Sequence, residues 1–191
     1  MKKLLQQLQK LGIIMIVMGF VYLTIEIFDR WIGGDMIGFI PPEYKNPQSF
    51  LSLTGFTSLW MFPIGALCGS VCGAINETRL NKLPMLVQCF IGVIFILLIE
   101  LISGYYLNVV LGLSIWDYSM NSFNIMGQIC LRNGFLFLLI TPFAFWLDDI
   151  IRYNLFDEDT KYPIWRPYYR AIEPFIKLIK RIKAKKSEKS A

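Results

Sequence analysis

Residues 83–107 read LPMLVQCFIGVIFILLIELISGYYL, a run in which Glu100 is the single formal charge. At 1.5 Å of rise per residue, a helix of this length covers the ~30 Å hydrocarbon core of a bilayer. Pro84 suits a first helical turn, where no backbone N–H is needed. The run therefore predicts a transmembrane helix over 84–107. Three other apolar blocks have the same character: residues 11–28, 53–75 (which holds Pro63) and 123–147. The first follows Lys2, Lys3 and Lys10, as a signal peptide would. No small-residue cleavage site comes after it, and Glu26, Phe28, Asp29, Arg30 and Trp31 stand there instead, so it reads as a retained helix.

The fold class expected is all-α, a polytopic membrane protein with four transmembrane helices. Residues 1–156 make the membrane domain, and residues 157–191 a cytoplasmic aromatic and basic tail. Composition agrees: 55% of the 191 residues are hydrophobic and only 17% are charged. A soluble domain is about a quarter charged. Mean hydropathy is +0.50. The net charge of +5 belongs mostly to the tail, so nucleic acid is not the partner it implies.

Basic residues fix the expected orientation, because cytoplasmic flanks collect Lys and Arg. Three lie ahead of the first block, two (Arg79, Lys82) between the second and third, and eleven from Asp148 onward, sixteen in all. The opposite side has Arg30 and Lys45, and Arg132 falls within the fourth block. Both termini are thus expected in the cytoplasm of a multi-pass cell-membrane protein.

Beyond the fourth block come Asp148, Asp149, Asp157, Glu158 and Asp159, then an aromatic and proline-rich stretch from Tyr162 to Tyr169. A basic amphipathic helix is expected to begin near Pro174. Phe175, Ile176, Ile179 and Ile182 recur at helical spacing, and Lys177, Lys180, Arg181 and Lys183 take the other side. Such a helix suits a surface of anionic lipid head groups, each basic residue contributing about 1 kcal/mol. Trp165, Tyr168 and Tyr169 add interfacial anchors.

Gly65, Gly69 and Gly73 recur every four residues in the second block, with Ala66, Cys68, Ser70 and Cys72 between them. Small residues let helix backbones approach in lipid, so this face is expected to pack against other helices. Cys68, Cys72, Cys89 and Cys130 all fall in apolar segments and read as free thiols. No metal site is expected: histidine is absent, and two cysteines one turn apart are too few ligands.

Charges inside apolar helices are costly and mark function more often than elsewhere. Glu26, Glu100 and Arg132 are three, and helical rise puts all of them in the outer half of the membrane. Asn124, Gln128 and Arg132 fall four apart, on one face of the fourth helix as drawn here. A cation there could hold a carboxylate or phosphate bidentately. Equally, Glu100 and Arg132 could form a structural pair, and Glu26 could pair with Arg30. The external stretch between the third and fourth blocks carries Trp116, Asp117, Tyr118, Ser119 and Asn121 with no Lys or Arg. Candidate substrate-binding residues are therefore Glu100, Trp116, Asp117, Asn124, Gln128 and Arg132.

Several stretches are similar to a bacterial family of membrane proteins: Glu100-Leu-Ile-Ser-Gly104, Trp116-Asp-Tyr-Ser119, and Phe123-Asn-x-x-Gly127-x-Ile-Cys-Leu131, together with Phe62-Pro-Ile-Gly-Ala-Leu67. They resemble the family known as putative ABC-transporter type IV, or CmpB-like. The resemblance spans the second to fourth blocks and implies a permease-like component of an ABC-type transport system. No Walker A pattern, Gly-x-Ser-x-Gly or His-Glu-x-x-His occurs, so no catalytic residue and no cofactor is expected. ATP hydrolysis would need a separate ATP-binding subunit, and the glycine face could serve a homo-oligomer. The alternative is an accessory or scaffold protein that binds lipid or a partner subunit without transport. An enzyme acting on a lipid head group through Glu100, Asp117 and Arg132 ranks third.

Overall fold

The computed structural model describes residues 2–33, 57–158 and 161–188. These residues form five α-helices, a short 3-10 helix at Arg79–Lys82 and no strand, only one isolated bridge between Ile125 and Ile129. The helices are α1 (Lys2–Gly33), α2 (Met61–Glu77), α3 (Met85–Gly104, extended by a π-helical turn at Tyr105–Val110), α4 (Leu131–Phe156) and α5 (Trp165–Glu188). α1 and α3 run one way and α2 and α4 the other. Met18 and Tyr22 of α1 meet Gly69 and Gly65 of α2, and Thr141 of α4 meets Gly92 of α3. The termini-bearing end of the bundle thus opposes the end built by residues 111–130, here called the loop end.

Three helices are long and apolar enough to cross a membrane: Leu4–Asp29, Met85–Val110 and Leu131–Phe156. Their outward faces are apolar too. Ile16 and Phe20 of α1, Ile94 and Ile102 of α3, and Phe135 and Leu139 of α4 all lie exposed. Apart from Arg132 at the loop-end rim of α4, these faces are apolar, so the exterior is built for lipid rather than water. α2 has 17 residues and is the most enclosed helix, with Met61, Ile64, Cys68, Cys72 and Ile75 in the core.

Four boundaries differ from those expected. α1 covers Lys2–Gly33 rather than 11–28. α2 begins at Met61, not near 53. Pro63 sits in its first turn, where its missing N–H costs nothing. Residues 53–56 lie outside the described ones, as do the side chain of Arg30, the expected partner of Glu26, and Asp159. α4 covers 131–156 rather than 123–147. Asn124 forms an Asx-type turn, its Oδ1 accepting the Gly127 N–H at 3.1 Å and its Nδ2 donating to the Ser119 and Asn121 carbonyls. Met126 (φ 54°) and Gly127 (φ 69°) are left-handed, which a continuing helix forbids. Asn124 and Gln128 are therefore loop residues and share no helix face with Arg132. Finally, α5 starts at Trp165, with Pro167 in its first turn, and continues through Pro174.

The tail is not detached from the bundle. Pro167 and Ala171 are buried, and Ala171 joins the core cluster. All four cysteines are free and buried.

Candidate functional site

At the loop end, the chain folds back on itself through side chains singled out in the sequence. Asn108, in the π turn, donates to the Trp116 carbonyl (3.0 Å) and to Gln128 Oε1 (2.8 Å), while its Oδ1 accepts the Ile115 N–H (2.7 Å). The Trp116 indole N–H donates to the Gln128 carbonyl at 3.0 Å. Asp117 Oδ1 accepts the Ser119 N–H at 2.8 Å. Gly104 leaves the space that Gln128 Oε1 and the Trp116 ring occupy; a Cβ there would lie 2.6 Å from the amide oxygen. Trp116, Asp117, Asn124 and Gln128 thus come together as the hydrogen-bonding frame of a compact plug. Most of their hydrogen bonds go to the loop's own backbone and to Asn108, while Asp117 stays exposed.

Glu100 and Arg132 are not brought together. Glu100 is buried, and its Oε1 accepts the Tyr22 O–H at 2.7 Å. Its Oε2 has no hydrogen-bond partner. Arg132 lies in the first turn of α4, half exposed, with Asp29 at 3.9 Å. Because α4 starts at 131, Arg132 belongs to the rim of the bundle and not to its depth. Glu26 lies one turn beyond Tyr22 on α1, and both border a cavity of about 60 Å³ between α1, α2 and α4. Met18, Ile96, Phe137 and Leu147 give that cavity a mainly apolar lining. It is far below the roughly 300–1,000 Å³ that holds a small organic ligand.

The glycine face of α2 splits between two neighbours. A Cβ at Gly65 would collide with Tyr22, and one at Gly69 with Met18, both on α1. At Gly73 it would lie 2.6 Å from Asp148 Oδ1 on α4.

Asp148 opens the second polar cluster, at the termini-bearing end. It is fully buried, and its Oδ2 accepts the Arg152 Nε–H at 2.6 Å. Arg152 also faces Glu77 (3.5 Å) and Glu158 (3.6 Å). Lys10 of α1 pairs with Glu158, and Asn76 and Tyr162 both donate to Asp149. Glu77, Asp148 and Asp149 bring carboxylate oxygens within 4.8 Å of one another, and Arg152 supplies positive charge beside them. The Lys10 hydrogen bond holds the Glu158 carboxyl below its ordinary value, with Arg152 adding to the effect. Burial, then the Asp149 acceptor, pushes the Tyr162 phenol up.

Sequence reasoning did not single out Tyr22, Asn108 or Asn133, and it read Asp148, Asp149 and Glu158 only as part of an acidic patch beyond the fourth block. The spacing of Tyr22 to Glu26, one turn on one helix face, was the available signal for the first.

A family model matches residues 43–162, which takes in α2, α3, the loop-end plug and α4. The chain belongs to the family described as "Putative ABC-transporter type IV". The family match and the three apolar helices make it a membrane protein of a transport-related family. No curated protein and no solved structure gives a significant match. The Trp116-to-Gln128 plug and Glu100 fall inside the family's span; α5 falls outside it.

Proposed function

We propose that the protein is a four-span, permease-like component of an ABC-type transport system in the cell membrane. Both termini and α5 face the cytoplasm, and the loop end faces outward. The family match over residues 43–162 carries this reading. α2 is short, but it is surrounded by the longer α1, α3 and α4, so it crosses beside them. Sixteen of nineteen basic residues then fall on one side. On α5, Phe175, Leu178, Ile179 and Ile182 are exposed and apolar, and lysines and Arg181 interleave with them. That helix suits an anionic lipid surface.

The chain acts without catalysis of its own, and ATP is hydrolysed by a separate subunit. A cavity of about 60 Å³ cannot pass a solute, so the pathway would run between subunits, in a homo-oligomer or against a partner. The same small cavity, with the plug's polar atoms engaged internally, favours the second reading of an accessory or scaffold protein. The two separate on purification of the tagged chain in mild detergent. The transport reading expects a co-purifying Walker A subunit whose ATP hydrolysis in liposomes rises several-fold with this chain present. An unchanged rate in the reconstituted pair would overturn it and leave the accessory role.

A further inference from the structure

Among the buried side-chain oxygens without a hydrogen-bond partner are Glu100 Oε2 on α3 and Asn133 Oδ1 on α4. Their residues are 2% and 5% exposed, so water does not reach them from outside. An unsatisfied buried acceptor costs about 1–3 kcal/mol, more if it is charged. Two together in one small region need a common cause.

The helix register puts them in one layer. Ile96 and Phe137 line the same cavity, and Leu97 reaches to 3.8 Å of where a Cβ on Gly134 would stand. α3 and α4 are antiparallel, so one turn toward the loop end leads from Ile96 to Glu100 and from Phe137 to Asn133. Both orphaned atoms are acceptors, and what is missing between them is a donor.

We propose that Glu100 is a buried proton-binding site, carrying its proton on Oε2 and donating it to Asn133 Oδ1. One added proton satisfies both atoms. Oε1 stays free to accept from Tyr22, as observed at 2.7 Å. A dehydrated metal cation would want more oxygens than these two, whereas a proton wants two. No lysine or arginine among the described residues pairs with Glu100, so an ionised carboxylate would stand in a low-dielectric interior uncompensated. The titratable groups around it are Tyr22 and Glu26 from α1 and Cys68 from α2; on α4, Arg132 lies beside Asn133 with Asp29 as a partner.

Tyr22 makes the site more than a static acid. It is the hydrogen bond that α1 offers to Glu100, and it borders the cavity between α1, α2 and α4. Parting α1 from α3 removes a donor from Oε1 and admits solvent, which favours release of the proton. Proton occupancy is thereby linked to the position of α1. This inference stands apart from the transport reading, since it concerns the purified chain alone.

The test is infrared spectroscopy of the purified protein at neutral pH, comparing wild type, Glu100→Gln and Asn133→Leu. Wild type should show the C=O stretch of a protonated carboxylic acid that Glu100→Gln lacks. Glu100→Gln should keep the wild-type melting temperature, because its amide donates and accepts where the neutral acid does. Asn133→Leu should keep the band but move it to higher frequency, having lost the acceptor. No difference band between wild type and Glu100→Gln would overturn the proposal, leaving an ionised Glu100 met by a water or a rotated Asn133 amide. An unfolded Glu100→Gln would count equally against it. A band unmoved in Asn133→Leu would remove Asn133 as the acceptor.

Discussion

One guanidinium, that of Arg152, faces carboxylates from α2, from its own helix and from the segment beyond. Asp148 is completely buried, and Arg152 is nearly so. Removing one member of a buried pair strands the other, at a cost of about 3–5 kcal/mol. Arg152→Met should therefore lower the melting temperature in detergent sharply, and Asp148→Asn added to it should restore much of the loss. If the double variant is as unstable as the single, Arg152 acts through Glu77 and Glu158 instead. The neighbouring Tyr162 makes a pH prediction. Its phenol is raised by burial and by donating to Asp149, so its contribution is complete below the ordinary tyrosine value and lost as pH climbs. From about pH 9 to about pH 11, wild type should lose more thermal stability than Tyr162→Phe. Equal losses would mean that the hydrogen bond to Asp149 does not survive in detergent. In the sequence, Asp148 and Asp149 looked like the end of a span. The spacing of Asp148 to Arg152, one turn on one helix, was a local signal, but nothing local showed that Asn76, Glu77 and Tyr162 from elsewhere would join them.

Among the elements, α2 holds the bundle together through absence of side chains. Gly65 and Gly69 admit Tyr22 and Met18, and Tyr22 placed there reaches Glu100. Gly69→Leu adds four side-chain carbons, the first of them in space that Met18 already fills. Overpacking typically costs about 1–3 kcal/mol, and here it also drives α1 away from α2. A lowered melting temperature is expected, and Gly69→Ala should show a smaller effect of the same sign. Wild-type stability in both would mean that α1 does not pack on this face. The glycine spacing was legible because period four on a helix is a geometric fact that survives without tertiary knowledge. The loop-end plug was not legible. Asn124-x-x-Gly127 lies in an apolar stretch with helical spacing to Arg132, and hydropathy cannot tell an Asx turn from a helix turn. The two left-handed residues, Met126 and Gly127, decide the matter. In the sequence, Trp116, Asp117, Asn124 and Gln128 were grouped with Glu100 and Arg132 as substrate-binding candidates; the structure shows the first four bonded to the loop's own backbone and to Asn108.

For the whole molecule, the decisive quantity is the number of crossings, since α2 has 17 residues and the other three candidate spans have 26 each. If α2 crosses, Gln7 near the N-terminus and Asn81 in the α2–α3 turn share a side. If α2 is a buried helix that does not cross, they lie on opposite sides, because α1 then crosses alone. Lys161 follows α4 and should match Asn81 in either case, and Met120, 97% exposed at the loop end, should oppose both. The four native cysteines are buried and should contribute little background to thiol labelling. Single cysteines at Gln7, Asn81, Met120 and Lys161 therefore report the full topology. With four crossings and cytoplasmic termini, only Met120→Cys reacts with an impermeant maleimide in intact cells, and the other three react after permeabilisation. Labelling of Gln7→Cys together with Met120→Cys in intact cells would reduce the count to three. Labelling of Gln7, Asn81 and Lys161 but not Met120 would keep four crossings and invert the protein, placing sixteen basic residues outside against the charge bias that oriented it.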